Sequence, residues 1–141
     1  MSRPRLVFLC VANSARSQMA EALARARYGE RVMVESAGTT PSRVSDYATF
    51  VMRERGLDVS AQRSKSVDTI DPVGVSIVVT LCAEEVCPAV LSAATRLHWP
   101  IADPASSDPS LDRATMIVRF AAAASEIERR LPELDVWLSR R

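Results

Sequence analysis

A thiol, an arginine six positions on and a hydroxyl beside it stand together in Cys10-Val11-Ala12-Asn13-Ser14-Ala15-Arg16-Ser17. A thiolate is a nucleophile, and a guanidinium is a permanent, planar donor matched to oxyanions. With both at one turn, the chemistry is nucleophilic attack on a tetrahedral oxyanion. Ser17 is placed to donate a further hydrogen bond to the sulfur. Cys10 alone reads equally well as a buried packing residue, since free cysteine is among the most buried side chains. The arginine tips the balance.

The flanking elements must position that turn. Leu6-Val7-Phe8-Leu9 is a continuous apolar run, the pattern of a strand buried on both faces. Ser17-Gln18-Met19-Ala20-Glu21-Ala22-Leu23 begins a helix. Loop N–H groups and the helix N-terminus then converge on one point, where an anion is stabilised and a cysteine pKa falls from about 8.5 to roughly 3.5–7.5. Gly29 caps the first helix. Val32-Met33-Val34 opens a second strand that ends at Glu35-Ser36-Ala37-Gly38, and Ser45 caps a helix running to Gly56. Val75 to Leu81 is a central β-branched strand, and Thr95 to Trp99 a weaker fourth. Ser110 caps a long helix with Leu111, Ala114, Ile117, Ala121, Ala124, Ile127 and Leu131 on one face, which Pro132 breaks or restarts. Strands alternating with helices make a parallel α/β sheet, with a ligand beyond the carboxyl ends of its strands. Cys10, Cys82 and the stretch before Asp103 all follow strands, so they share one rim.

A chain of 141 residues fits a single domain over 1–141. Its net charge of +1 argues against a nucleic-acid surface, and no apolar run reaches the length of a membrane span. A strand starts almost at the first residue, leaving no room for a secretory signal. Three cysteines, an odd number, argue against a static disulfide framework and for a reducing, cytoplasmic location. No cofactor is implied.

The other two thiols lie in Leu81-Cys82-Ala83-Glu84-Glu85-Val86-Cys87-Pro88. Three readings stay open on the residues alone. Cys82 and Cys87 can pair after local unwinding, because a disulfide needs Cα atoms roughly 4.4–6.8 Å apart. They can bind structural zinc with His98, although a fourth ligand would have to be Cys10, which blocks the anion loop. Or they only pack. Asp103-Pro104 lies in the irregular stretch after the fourth strand, as does Asp108-Pro109. Turn aspartates are common in such pairs.

The loop resembles the phosphate-binding loop of low-molecular-weight protein tyrosine phosphatases and of the arsenate reductases built on their fold. The resemblance extends through Glu35-Ser36-Ala37-Gly38, Cys82 with Cys87-Pro88, His98-Trp99 and Asp103-Pro104. It is closer to the thioredoxin-coupled reductases: Ala15 stands where the phosphatases usually carry a second loop cysteine, and no tyrosine follows Asp103-Pro104. The resemblance implies a three-layer α/β fold with a four-stranded parallel sheet in the order 2-1-3-4, flanked by helices. It implies that arsenate binds the loop, with phosphate or sulfate as competitors. Cys10 would attack arsenic, Asp103 would protonate the leaving oxygen, and Cys82 and Cys87 would pass the oxidation on. Thioredoxin would reduce the resulting disulfide, with glutaredoxin or a small thiol as other candidates, and a monomer is expected. The spacing of Cys82 and Cys87 is shorter than that family often shows. Some of these reductases bind potassium beside the loop. Asn13, Glu21 and Ser36 match three of those ligands, but Lys65, the chain's only lysine, stands where an aspartate is expected. Its ammonium is expected to replace the metal, so no bound metal is expected.

Two other functions share parts of this pattern. A phosphatase acting on phosphomonoesters needs only Cys10, Arg16 and Asp103. A non-catalytic redox sensor needs only the thiols.

Overall fold

A computed structural model describes residues 3–83, 91 and 94–138. Cys87 lies outside the described residues. Four parallel strands, β1 (Arg5–Cys10), β2 (Met33–Gly38), β3 (Val75–Thr80) and β4 (Thr95–His98), form one sheet in the order β2-β1-β3-β4. This is the expected 2-1-3-4 order. The apolar run of β1 explains its central place: Leu6 and Phe8 enter one core cluster, Val7 and Leu9 the other, and none of the four is more than 3% exposed.

The larger core lies between one face of the sheet and three helices, α1 (Arg16–Tyr28), α2 (Asp46–Glu54) and α3 (Arg113–Arg130). Phe8, Met19, Met52, Phe120 and Ile127 meet there, each fully buried. Burying one such side chain contributes about 1.5–3 kcal/mol, so the strand that carries Cys10 is held firmly from behind. On the other face, the described cover comes from Val67, Ile70 and Leu91.

Ser45 caps α2 as expected, accepting from Ala48 N–H, and Gly29 closes α1 at φ 57°. The cap of α3 is Asp112, whose carboxylate accepts from Thr115 N–H at 2.8 Å. Ser110 instead closes a turn onto Asp108, donating to its Oδ1 from both backbone and hydroxyl. The start moves by two residues because the carboxylate at 112 reaches the first free amide. The buried stripe of α3 becomes Met116, Phe120, Ala123, Ala124 and Ile127. At Pro132 the chain passes through a 3-10 turn into the short α4 (Asp135–Leu138).

Candidate active site

Residues 10–16 wrap from the carboxyl end of β1 into α1, and the carbonyls of residues 11–15 are engaged by groups outside the loop's concave side or by α1 itself. Val11 O accepts from Thr40 N at 2.8 Å, and Ala12 O from Ser42 N at 3.1 Å and Ser64 Oγ at 2.9 Å. Asn13 O accepts from Gln18 Nε2 at 3.0 Å, Ser14 O from Ser45 N at 3.0 Å, and Ala15 O from Met19 N at 2.9 Å. Carbonyls spent outward turn amides inward, the geometry of an anion nest. The N-cap of α1 is Ala15, which offers no side-chain acceptor, and the first turn has no acid. The partial positive charge of that terminus is therefore available to a bound anion. A cavity of about 310 Å³ opens here, lined by Cys10, Ser14, Arg16, Ser42, Asp103 and Ala105 among others. A larger one of about 510 Å³ lies at the far end of β1, but its polar groups, Arg27, Tyr28 and Asp135, already pair with one another.

The loop is braced from beneath. Asn13, fully buried at φ 48°, donates from Nδ2 to Ser17 Oγ at 2.8 Å and Ser36 Oγ at 3.0 Å, and accepts at Oδ1 from Lys65 N at 2.9 Å. Left-handed backbone suits asparagine better than other side chains. Ser36 Oγ donates to Glu21 Oε1 at 2.6 Å. Glu21 is a buried carboxylate, so it needs cations. Arg25 Nη2 lies 2.9 Å from its Oε2 and Lys65 Nζ 3.9 Å from its Oε1. The lysine thus stands beside the loop where it was expected. Ser17 Oγ meets Asn13; its expected contact with the Cys10 sulfur is not formed, because the hydroxyl is turned into this buried network. Gln18, Gln62 and Gly38 also belong to the support. Gln62 Nε2 donates to Gln18 Oε1 at 2.8 Å, and Gly38 lies so close to the loop that a Cβ there would meet Val11 O at 2.4 Å.

Arg16 reaches along the rim. Its Nη1 donates to Ile101 O at 2.9 Å, its Nη2 lies 3.7 Å from Asp103 Oδ2, and its Nε is buried with no protein partner. A buried donor of that kind suits an oxyanion ligand. Asp103 is the carboxylate that shares the cavity; the second Asp-Pro, at 108, serves a turn. The loop carrying Asp103 is tied to α3 by Arg119, whose Nε donates to Pro104 O at 2.9 Å and Nη2 to Asp103 O at 3.4 Å.

Two sulfurs meet beneath the loop. Cys82, just past β3, places Sγ 3.2 Å from Cys10 Sγ, and Val11 N–H donates to the same Cys82 sulfur at 3.2 Å. Both thiols are buried and free. Two sulfurs at that range share one proton. The hydrogen bond between the two sulfurs pushes the Cys82 thiol down to about 6 against the desolvation of burial, with Arg16 and Val11 N–H lowering it further and the Asp103 charge opposing. The same hydrogen bond, joined by burial, pushes Cys10 up despite Arg16. The sequence places the ionised sulfur at Cys10; in the structure a second thiol 3.2 Å away competes for the same proton, and that contact pushes Cys10 up and Cys82 down. His98 Nε2 lies 2.8 Å from Cys82 O, and no cluster of metal-ligating side chains occurs among the described residues.

Cys10, Cys82, Arg16 and Asp103, far apart in sequence, therefore converge, with Val11, Ala12, Asn13, Ser14 and Ala15 forming the cradle. Arg119 and the Gln18–Gln62 pair are marked only by their tertiary contacts; His98 stood out in the sequence, but not for its contact with the Cys82 carbonyl.

The model for low molecular weight phosphotyrosine protein phosphatases matches residues 5–141. An arsenate reductase of Halalkalibacterium halodurans is 36% identical over 133 residues, 93% of this chain and 94% of that protein. One from Bacillus licheniformis is 38% identical over 110 residues, 77% of this chain and 79% of that protein. Among solved structures, an arsenate reductase in its phosphate-binding state superimposes with a TM-score of 0.82 at 26% identity, covering 96% of this chain and 98% of that one. A thioredoxin-dependent arsenate reductase of Corynebacterium glutamicum gives 0.73 at 27% identity, covering 98% of this chain and 63% of that one.

Proposed function

The chain belongs to the low molecular weight phosphotyrosine protein phosphatase family, and from that premise we propose that it is an arsenate reductase, working as one domain over residues 1–141. One observation carries the choice: the Cys82 sulfur lies 3.2 Å from that of Cys10, which lines the anion cavity. Phosphoester hydrolysis needs one sulfur there; reduction needs two. The arsenate reductases among its relatives support the same reading.

Arsenate enters the nest, gripped by loop N–H groups and Arg16. As it arrives, the shared proton passes to Cys82 and the Cys10 thiolate attacks arsenic. Asp103 protonates the oxygen that leaves as water. Cys82, again a thiolate, then attacks Cys10 Sγ. The sulfur–arsenic bond breaks with its electron pair staying on arsenic, which leaves as arsenite, and a Cys10–Cys82 disulfide forms. Cys87 attacks Cys82 in turn, freeing Cys10 and leaving Cys82–Cys87 for an external dithiol. Each transfer is thiolate exchange, governed by ionisation and access. Thioredoxin is the proposed reductant, the dependence named for the relative from Corynebacterium glutamicum. Turnover through free thiols requires a reducing compartment, which makes the cytoplasm the proposed place of action; no described helix is long and apolar enough to cross a membrane. The Lys65 ammonium, 3.9 Å from Glu21, serves in place of a metal cation.

Arsenate and phosphate share shape and charge, so the redox step separates them, not the grip. A slow phosphatase activity is the second reading. Cys10, Arg16 and Asp103 suffice for it, while Ala105 lines the cavity where an aryl ring would need a partner. The test is Cys82→Ser: arsenite production should vanish while aryl phosphate hydrolysis persists. Arsenate reduction at the parent rate with thioredoxin would overturn the relay.

A further inference from the structure

β4 ends at His98, and no step above uses it. The carbonyls at the end of β3 are taken in turn by the chain that follows β4. Thr80 O accepts from Trp99 N at 2.8 Å and Leu81 O from Ile101 N at 3.0 Å. The next carbonyl, that of Cys82, is met by a side chain: His98 Nε2 lies 2.8 Å from it. A carbonyl oxygen only accepts, so Nε2 carries the hydrogen. The charged imidazolium would donate from the same atom, which makes the contact a fixed strut and not a pH switch.

We propose that His98 is a positioning residue for the second thiol: its hydrogen bond to the Cys82 carbonyl aims Cys82 Sγ at Cys10 Sγ for the disulfide-forming step. This rests on the relay proposed above. Among the described residues Cys82 has three anchors: the Val11 N–H and the Cys10 thiol on its sulfur, and His98 on its backbone. The first two involve sulfur, a weak partner, and the Cys10 contact is lost when Cys10 carries arsenic. Of the three, the His98 bond touches neither sulfur, so it keeps the attacking sulfur in line when alignment counts most. The bond also suits a residue that must later turn to another partner. Rotating one imidazole releases Cys82 while the backbone bonds of Thr80 and Leu81 keep the sheet closed.

The experiment uses the full chain with Cys87→Ser, which stops the relay at Cys10–Cys82. Arsenate is added without external reductant, disulfide formation is followed by mass mapping, and aryl phosphate hydrolysis is measured in parallel. Adding His98→Leu should slow the disulfide step about tenfold, within the worth of one hydrogen bond, and leave hydrolysis within about twofold. His98→Gln, whose amide reaches the Nε2 position, should restore most of the rate. His98→Asn, too short to reach it, should behave like leucine. Equal losses in both reactions, no loss in either, or no difference between Gln and Asn would overturn the proposal. If Cys87→Ser with His98 intact forms no Cys10–Cys82 disulfide from arsenate, the relay itself fails and this role fails with it.

Discussion

Alanine at position 38 is a small change with a cost that follows from distances. A Cβ on Gly38 would lie 2.4 Å from Val11 O, 2.9 Å from Asn13 N and 3.0 Å from Cys10 O, where ordinary contact begins at 3.4 Å. Val11 O must therefore retreat by about 1 Å, the difference between 3.4 and 2.4 Å. All three atoms are backbone, so no side-chain rotation relieves the clash, and Val11 O is itself held by Thr40 N at 2.8 Å. The displacement falls on the segment that carries the Cys10 sulfur and the Val11 N–H that meets Cys82. A misplacement of about 1 Å costs on the order of 10²-fold in rate, about 2.7 kcal/mol in the barrier. Overpacking should cost the fold about 1–3 kcal/mol, a fall of several degrees in Tm. The assay is kcat/KM for arsenate reduction and for aryl phosphate hydrolysis on a variant shown to be folded. Both should drop about a hundredfold, because both use the loop. An alanine variant with unchanged Tm and activity within about threefold of the parent would refute the claim that close approach of β2 shapes the loop.

Three further outcomes follow from the site. Removing Cys82 takes away the hydrogen bond that most strongly raises Cys10 while Arg16 remains, so in Cys82→Ala the midpoint of Cys10 alkylation against pH should move down; in the parent, Cys82 should be the sulfur that ionises first, near about 6. An unmoved or raised Cys10 midpoint would contradict the shared proton. Because Lys65 already stands beside Glu21, rates in potassium and sodium at equal ionic strength should match; clear stimulation by potassium would show that the ammonium does not replace a metal. Arg119→Ala unties the Asp103 loop from α3, so hydrolysis should fall about tenfold for alkyl phosphates, which need the acid, and less for nitrophenyl phosphate, which needs it less. Equal falls would assign Arg119 to folding alone.

The strands and the anion loop were legible because each rests on local signals, a continuous apolar run and then Cys10 and Arg16 at the start of a helical pattern, whereas the 2-1-3-4 order came with the family resemblance. The convergence of Cys82 and Asp103 followed from parallel topology, which puts every strand's carboxyl end on one rim. Finer features depend on which of several near-equal partners wins in space. Asp112 displaced Ser110 as the cap of α3 because its carboxylate reached the first free amide. Ser17 turned to Asn13, four residues back, because the buried asparagine amide supplied a nearer donor than the sulfur, and Cys10 met a second thiol through a tertiary contact that no local spacing shows. His98 and Arg119 act on backbone carbonyls, contacts that leave no spacing to find. Trp99, whose packing the sequence left unread, is 2% exposed and lies tilted against Phe8 with ring centroids 6.4 Å apart, closing the core beneath the rim.

The central claim is that one arsenate withdraws two electrons from this chain through Cys10 and leaves the oxidation on the other two thiols. The most direct test is to mix the fully reduced chain with excess arsenate, without any external reductant, then count arsenite and map the disulfide. The account predicts one arsenite per chain, Cys82 bonded to Cys87, and Cys10 free. Arsenite formed while Cys82 stays a thiol, or a chain that remains fully reduced, would contradict it.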